Sequence, residues 1–569
     1  MKVKKNRLFI VGLSIFVLSI ILMGAAFYLI SNYEISINEG RSFVQRGFSI
    51  NPADKDEIEE YTNEFEKNID ILYYELNIEL FPLMKEIECQ ASITGIHKVK
   101  SNKEILLNFN DGFEITNILL NNNSIDYLYK NDRLLISGRN EVSDTFNILI
   151  NYHGKPESLG FGSFIFGEHK DESVVYTLNE PIFASTWFPC NDIPSDKVLT
   201  DVYITNDSSK TSLSNGILVD TKISGKRKTY HWKTNYPIST YLISIYSADY
   251  EHFSDKYVSA LKDTMFIDYY VFEEDLKKAK KDFDIHINAI KHFSTLFGEY
   301  PFIKEKYGVA QFLWKYGAME HQTITGIGKD FVSGNRFFTD MLVHELAHQW
   351  WGNAVTLKTW KDIWLNEGFS TYSEALYWEQ ESGSSSLKST MRSFLTNFDG
   401  LKLYDPDKLF SRIIYNKGAW VLHMLRGEIG DKLFFYLLQN YFETYKYKNA
   451  STEDFINLAE KISSKNLKKF FDQWVFNGEG KIELEYSYST KKIKNSYELN
   501  LKLNQVQEKY QSYHFLLDVD IHFEDGSIER ERIKLSDRTH VQKFMYEKLV
   551  SKIELDPDFW LAAEFHRID

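Results

Sequence analysis

The spacing of hydrophobic and polar positions divides the chain into regions with different predicted secondary structure. Over residues 71–252, short runs such as ECQASITGI, FNILINY and LTDVYIT alternate apolar and polar residues. A period of two is typical of strands with one buried face, and Asn, Gly and Asp separate these runs as turn residues. The pattern predicts an N-terminal β-sheet domain over residues 71–252.

The apolar period lengthens over residues 253–480, in runs such as DIHINAIKHFSTLF, DMLVHELAHQWW and AWVLHMLRGEIG. This spacing is typical of amphipathic helices and predicts a mostly helical middle domain. Alternating runs such as IELEYSYS and FLLDVDIHF return over residues 481–569 and predict a C-terminal β-sandwich. The expected fold class is a multidomain α+β protein.

The N-terminus contains an uncharged apolar run of 23 residues, Leu8–Ile30. About 20 residues suffice to cross a bilayer, so the run predicts one transmembrane anchor. Basic residues precede it, namely Lys2, Lys4, Lys5 and Arg7. The positive-inside rule therefore predicts a cytoplasmic tail over residues 1–7 and a body outside the cell.

The polar segment 31–70, which has partial helical periodicity, is interpreted as a juxtamembrane spacer. A cleaved signal peptide is the alternative interpretation of Leu8–Ile30, because Gly24, Ala25 and Ala26 could accommodate cleavage. Under both interpretations, the remainder of the chain is predicted to lie outside the cell. The expected localisation is the cell membrane, with a single span.

Composition narrows the possible partners. The formal net charge is -14 and the body of the chain has no dense run of Lys and Arg, so nucleic acid is not an expected partner. Hydrophobic residues make up 43% of the 569 residues, enough for sizeable cores. The two cysteines, Cys89 and Cys190, allow at most one intrachain disulfide.

The segment HELAHQWWGN carries the pattern H-E-x-x-H at His344 and His348. On a helix, residues four apart lie on one face about one turn apart, so both imidazoles can reach one metal ion. Thr339 or Asp340 is the expected N-cap, and Gly352 is expected to end the helix. A histidine pair alone does not establish a metal site, since such pairs also occur as core or surface residues.

A third candidate ligand, Glu367, follows His348 after an interval of eighteen residues. Catalytic zinc sites have three protein ligands and an open fourth position, so His344, His348 and Glu367 predict one Zn²⁺ per chain. Glu345 lies beside a ligand and is the candidate general base. Glu374, on the same helix face as Glu367, either orients a ligand histidine or is a solvated glutamate.

With these motifs the sequence resembles the aminopeptidase N family of zinc metallopeptidases, the gluzincins that include leukotriene hydrolase. Further segments match in order and spacing, namely WFPCNDIP, GAMEH, YNKG, FFDQW and DPDFW. The resemblance covers most of the chain after the spacer. It implies a thermolysin-like catalytic domain over residues 253–480 and hydrolysis of the N-terminal residue from peptides.

The resemblance also implies roles for residues outside the metal motif. In the family, the segment that matches Gly317, Ala318 and Met319 lies along the substrate, and the glutamate after it binds the free α-amino group. Glu320 has that position here, and Glu180 matches a second amine-binding residue.

Tyr415 matches a tyrosine that helps to stabilise the oxyanion. Two positions depart from the family pattern, because His321 replaces the usual asparagine and Ser185 stands where relatives usually carry arginine. These departures leave the carboxylate of Glu320 in place, and the fine substrate preference open.

Three other functions are weighed against a membrane-anchored zinc aminopeptidase. A thermolysin-type zinc endopeptidase would share the histidine motif, but the segment GAMEH argues against it. A non-catalytic binding protein on the same scaffold would not need every zinc ligand, the base and the tyrosine. Hydrolysis of a non-peptide substrate, as in the leukotriene hydrolase branch, is the smaller alternative. The expected partners are peptides with free N-termini and the lipid bilayer.

Overall fold

The structure is a computed structural model that describes residues 34–38, 41–45, 68–99, 103–137, 143–158, 162–398, 402–510 and 512–568. The chain divides into two compact units, residues 1–50 and residues 51–569. The predicted anchor Leu8–Ile30 lies outside the described residues. Within the described ranges, no helix combines the length and the apolar character needed to cross a membrane.

The first unit contains an antiparallel hairpin of β1 (Glu34–Asn38) and β2 (Arg41–Gln45). This hairpin falls within segment 31–70, which is predicted to be a spacer with partial helical periodicity. The sequences EISIN and RSFVQ contain isoleucine, valine and phenylalanine, which favour strands over helices.

The N-terminal domain of the second unit is β-rich, as predicted. Its strands are β3 (Ile69–Phe81), β4 (Glu86–His97), β5 (Ile105–Asn108), β6 (Glu114–Leu120), β7 (Asn123–Ser124), β8 (Tyr127–Lys130), β9 (Arg133–Ile136), β10 (Thr145–Gly154), β11 (Ser163–His169), β12 (Glu172–Leu178), β13 (Lys197–Asp207), β14 (Thr211–Leu213), β15 (Ile217–Ser224), β16 (Arg227–Lys233), β17 (Ile238–Ser239) and β18 (Tyr246–Ala248). A nine-stranded sheet runs in the order β15-β16-β13-β3-β4-β10-β6-β7, with β17 paired to β13. A four-stranded sheet, β11-β12-β18-β14, and a three-stranded sheet, β5-β9-β8, complete the domain.

The alternation that predicted these strands is visible in their burial. In β3, Tyr74, Leu76 and Ile78 are buried, and the residues between them are partly exposed. Cys89 and Cys190 are both buried and no disulfide joins them, so the chain does not use the one disulfide that its composition allows.

The middle domain begins with a five-stranded sheet in the order β19-β20-β21-β23-β22. Its strands are β19 (Glu251–Val258), β20 (Thr264–Val271), β21 (Tyr307–Phe312), β22 (Ala318–Met319) and β23 (Thr325–Gly328), and a separate pair is β24 (Val355–Leu357) with β25 (Lys448–Ala450). The expected domain border at residue 252 therefore falls inside β19, the first strand of this sheet.

Helices form most of the rest of the middle domain, as predicted. They are α1 (Leu276–Asp282), α2 (His286–Phe297), α3 (Thr339–Ala347), α4 (Trp364–Ser382), α5 (Ser384–Phe394), α6 (Arg412–Ile429), α7 (Asp431–Tyr445), α8 (Thr452–Ser463) and α9 (Lys468–Phe471), with a π-helical turn at Asp472–Phe476. Helices α4 and α6 approach most closely at Gly368 and Gly418. A Cβ atom added to Gly418 would lie 2.7 Å from the Cα atom of Gly368, so only glycine fits at this crossing.

The C-terminal domain consists of two sheets, the arrangement expected of a β-sandwich. Its strands are β26 (Ile482–Ile493), β27 (Ser496–Gln505), β28 (Phe515–Phe523), β29 (Ile528–Leu535), β30 (Thr539–Tyr546), β31 (Val550–Leu555) and β32 (Ala563–Arg567), in the orders β30-β27-β26-β32 and β29-β28-β31. The segment before β32 packs on α6, where His423 Nε2 lies 2.9 Å from the carbonyl oxygen of Phe559.

Candidate active site

Helix α3 and the residue after it carry the H-E-x-x-H motif. The helix begins at Thr339 and ends at Ala347, so His348 is its C-cap and Gly352 lies outside it. No side chain caps its start, and Thr339 Oγ1 instead donates to the carbonyl oxygen of Arg336. The predicted cap at Thr339 or Asp340 and the predicted end at Gly352 are therefore wrong, because burial of the apolar face stabilises this short helix without a cap.

The three predicted metal ligands meet at one point. His344 Nε2 lies 3.0 Å from His348 Nε2 and 3.3 Å from Glu367 Oε2, and His348 Nε2 lies 3.4 Å from Glu367 Oε2. All three side chains are buried. Tetrahedral ligands about 2.0–2.1 Å from a zinc ion lie about 3.3 Å from one another, so the three atoms have the separations of a zinc site.

Hydrogen bonds on the opposite ring atoms show why these three atoms suit a cation. His348 Nδ1 lies 2.9 Å from the carbonyl oxygen of Trp351, which only accepts, so Nδ1 donates. In the neutral ring, Nε2 then carries a lone pair directed at His344 Nε2 and Glu367. Lone pairs and a carboxylate that converge in a buried space repel one another unless a cation lies between them, and the donor set therefore fits zinc.

Glu374 has the orienting role that the sequence left open. Its Oε1 lies 2.8 Å from His344 Nδ1, and the side chain is buried rather than solvated. Burial raises the pKa of Glu374 to about 7, although the hydrogen bond from His344 favours the ionised form. This contact fixes the tautomer of His344 with Nε2 towards Glu367.

Glu345 lies between the two histidines in sequence and is 7% exposed. Burial raises its pKa to about 8, and the neighbouring carboxylates Glu320 and Glu367 add to that increase while the histidines oppose it. A dication held by His344 and His348 would lower this pKa, since it stabilises the ionised carboxylate. A base that can both accept and return a proton near neutral pH suits this position.

Glu320 and Glu180 come to the same cleft from different domains. Glu320 follows β22, and Glu180 follows β12 of the N-terminal domain. One carboxylate oxygen of each lies within 4.8 Å of an oxygen of Glu367. Both side chains are buried, and among the described residues Glu180 Oε1 and Glu320 Oε1 have no hydrogen-bond partner. Burial, and then repulsion by Glu320, raises the pKa of Glu180 well above its usual range.

Gly317, Ala318 and Met319 form the edge of the five-stranded sheet beside this pair. Ala318 and Met319 pair only with β23, opposite Ile327 and Gly326, so their other side borders the sheet edge. An edge strand can bind an extended peptide through main-chain hydrogen bonds. The contact of this segment with substrate stays a prediction.

Tyr415, near the start of α6, is half-buried and its ring stacks at 5.8 Å from the ring of His344. Burial, and then the carboxylates of Glu367, Glu180 and Glu320, raises the pKa of Tyr415 well above its usual range. The phenol therefore stays protonated and can donate a hydrogen bond. It lies beside a metal ligand, and its role at the oxyanion stays a prediction.

The two departures from the family pattern are both buried. His321 Nδ1 lies 2.5 Å from Tyr246 Oη, which joins the segment after β22 to strand β18 of the N-terminal domain. The backbone N–H of Ser185 donates a hydrogen bond to Asp192 Oδ2. Both residues thus pack inside the protein rather than facing solvent.

Sequence reasoning did not identify the residues that hold Glu320 in place. Asn353 Nδ2 donates to the carbonyl oxygen of Glu320 at 2.6 Å, and Gln349 Nε2 approaches it at 3.4 Å. Nζ of the half-buried Lys197, in the N-terminal domain, donates to the carbonyl oxygens of Asn353 and Ala354. Asn353 and Gln349 lie within or beside the histidine motif, and that proximity was the only signal for them.

Two sequence profiles match the chain. They are described as the Peptidase M1 N-terminal domain, over residues 71–242, and the Peptidase family M1 domain, over residues 281–474. "Probable aminopeptidase 2" of Sulfurisphaera tokodaii is 26% identical over 57% of this chain and 44% of its own length. "Aminopeptidase M1-D" of Oryza sativa is 29% identical over 54% of this chain and 37% of its own length. The chain therefore spans less than half the length of these two relatives.

Solved structures share the fold. Aminopeptidase A of Legionella pneumophila in complex with aspartic acid superposes with a TM-score of 0.76 and 18% identity, over 88% of this chain and 60% of that chain. A mutant M1 zinc metallopeptidase of Deinococcus radiodurans bound to a Tyr-Ser-Ala substrate superposes with a TM-score of 0.63 and 23% identity. This match covers 72% of this chain and 94% of that chain. The matched profiles and the donor set of His344, His348 and Glu367 together imply zinc as the cofactor.

Proposed function

The chain belongs to the peptidase M1 family, and on that premise we propose that it is a zinc-dependent aminopeptidase that removes the N-terminal residue from peptides. The observation that carries this proposal is the pair of buried, unpartnered oxygens Glu180 Oε1 and Glu320 Oε1 beside the metal ligands. Two buried carboxylates favour an ammonium group, and the free N-terminus of a peptide is such a group.

The residues around the cleft have separate tasks in this reaction. His344, His348 and Glu367 would hold the zinc ion, which supplies a Lewis acid next to the scissile carbonyl. Glu345 accepts the proton of the attacking water and returns it to the leaving amine. Tyr415 donates a hydrogen bond to the oxygen on which negative charge develops.

The amine contacts set the cleavage position. Glu320 and Glu180 hold the ammonium group, so the peptide bond after the first residue reaches Glu345 and the metal ligands. The edge formed by Gly317, Ala318 and Met319 aligns the peptide backbone. A blocked N-terminus loses the charge-assisted contact and leaves the carboxylates unpaired, which disfavours its binding.

A comparison of free and N-acetylated forms of one fluorogenic peptide, with and without chelator, tests the proposal. We expect chelator-sensitive release of the first residue from the free peptide and little cleavage of the acetylated one. Rapid internal cleavage of the acetylated peptide would identify a thermolysin-type endopeptidase. Absence of chelator-sensitive hydrolysis on a broad aminoacyl panel would favour a non-catalytic binding protein.

We further propose that the enzyme is anchored in the cell membrane with its second unit outside the cell. The support is the apolar run Leu8–Ile30 and the basic residues before it. Carbonate extraction of membranes tests the anchor, since an integral protein stays in the pellet. Protease added to intact cells tests the orientation, since an external body is digested without lysis.

A further inference from the structure

The cleft holds more carboxylates than one zinc ion can balance. A zinc ion brings two positive charges, and Glu367 offsets one of them. Glu345, Glu180 and Glu320 can add three negative charges within the same buried space. In the described part of the chain, no Lys or Arg side chain forms an ion pair or a hydrogen bond with Glu180 or Glu320. With all three carboxylates ionised, two negative charges would remain when substrate is absent.

Several other buried carboxylates accept hydrogen bonds from the protein at one oxygen at least. Asp282, for example, accepts hydrogen bonds from the backbone N–H groups of Ser333, Gly334 and Arg336. Glu305 and Glu374 are also among them, and their second oxygens have no partner among the described residues. Glu180 Oε1 and Glu320 Oε1 are likewise buried, and no hydrogen-bond partner for either lies in the described part of the chain. A buried carboxylate oxygen without a partner is costly, so these two oxygens need a ligand that comes from solution.

Their geometry fits a metal ion as well as an ammonium group. One oxygen from each of Glu180, Glu320 and Glu367 lies within 4.8 Å of the other two. Carboxylate oxygens bind Zn²⁺ or Ca²⁺ at about 2.0–2.6 Å, so three oxygens arranged around one ion are about 3.5–4.5 Å apart, which is compatible with that limit. We propose that Glu180, Glu320 and Glu367 form a second divalent-cation site, whose ion competes with the ammonium group of the substrate.

The second ion has a defined consequence for the enzyme. Glu367 would contact both ions, and the second ion brings the two positive charges that the cleft lacks. Because the ion occupies the oxygens of Glu180 and Glu320, substrate and ion exclude each other. The competition, but not the binding of the ion, rests on the proposed aminopeptidase activity. Excess divalent cation then acts as a reversible inhibitor that raises KM and leaves kcat unchanged.

Metal stoichiometry tests the site without reference to activity. The full chain is stripped with chelator and titrated with zinc chloride against a colorimetric zinc indicator. We expect two equivalents in the wild type, with the second bound more weakly. Glu180→Gln should bind one equivalent, as should Glu320→Gln. Glu443→Gln, which changes an exposed carboxylate paired with Lys446, is the matched control and should bind two.

Several outcomes would overturn the proposal. A single equivalent in the wild type excludes the site, and this measurement does not depend on the folding of any variant. Retention of the second equivalent in both glutamine variants places that ion elsewhere. A circular-dichroism melt of each variant separates loss of the ion from loss of the fold, and a folded variant with one equivalent supports the site.

Kinetics then distinguish the cation site from the proposed function. Zinc at about ten times the second Kd should raise KM about elevenfold at constant kcat. A fall in kcat at constant KM would refute the competition. A chain that binds two equivalents but hydrolyses no peptide supports the cation site and refutes the proposed function. A chain that removes N-terminal residues from peptides but binds only one equivalent supports the proposed function and refutes the cation site.

Discussion

Replacing Gly418 by alanine alters the α4–α6 crossing at its closest point. The new Cβ would lie 2.7 Å from the Cα atom of Gly368 and 3.4 Å from its backbone nitrogen. Both are backbone atoms, so no flexible side chain can move away to make room. Carbon atoms in contact lie about 3.5–4.0 Å apart, so the two helices must separate locally by roughly 1 Å. Overpacking of this kind costs about 1–3 kcal/mol, and the better helix propensity of alanine returns about 1 kcal/mol.

This separation falls between two groups of the site. Glu367 precedes Gly368 on α4, and Tyr415 lies one turn before Gly418 on α6. A displacement of about 1 Å at reacting groups can lower turnover about 100-fold. We therefore expect Gly418→Ala to lower kcat by about that factor with only a modest loss of thermal stability. The measurements are kcat on a fluorogenic aminoacyl substrate, zinc content and the Tm.

Gly427→Ala is the matched control on the same helix. Its Cβ would meet the ring of Trp560 at 2.9 Å, so it also overpacks the helix but at the contact with the C-terminal segment. We expect a lower Tm and a kcat within about twofold of wild type. A Gly418→Ala enzyme with wild-type kcat, or equal losses of kcat in both variants, would refute the reasoning.

Three further predictions concern single side chains. Glu345→Gln should keep its zinc by metal analysis and lose about 10²–10⁴ in kcat, because only the proton acceptor is removed. Glu320→Gln should lower kcat/KM about 10- to 150-fold on free peptides and far less on N-acetylated ones; equal losses on both would contradict the amine contact. Burial lowers the pKa of Lys197 to about 7. The unfolded chain therefore binds more protons between pH 7 and pH 10.5, and wild-type stability should rise with pH across this window. Lys197→Met should lack that rise in thermal melts recorded across this pH range. Parallel plots of stability against pH for the wild type and the variant would show that Lys197 is not the titrating group.

The site residues differ in how far local sequence could identify them. His344 and His348 share one helix face, so the chemistry of the pair follows from local geometry alone. Glu374 could be placed on the correct face of its helix, but its contact with His344 depends on how α3 and α4 pack. The same holds for Tyr415, which the sequence could identify only through its resemblance to a family motif.

The support of Glu320 shows why some residues were missed. Lys197 lies far from the histidine motif in sequence, and its contacts with Asn353 and Ala354 join two domains. A half-buried lysine that donates to carbonyl oxygens has no sequence motif by which it could be recognised. Helix α3 is a second example. The sequence predicted a side-chain cap at its start, but burial of its apolar face stabilises the helix without one.

The sequence by itself determined the three-part division into β-rich, helical and β-rich regions, because the periods of strands and helices are local properties of the chain. It also determined the zinc ligand set, since four-residue spacing and one later glutamate specify the donor types. Only the tertiary structure decided that Glu180 and Glu320 are buried with unpartnered oxygens beside Glu367. Burial and charge repulsion depend on which segments, far apart in sequence, the fold brings together. No local sequence pattern specifies the distance between such segments in space.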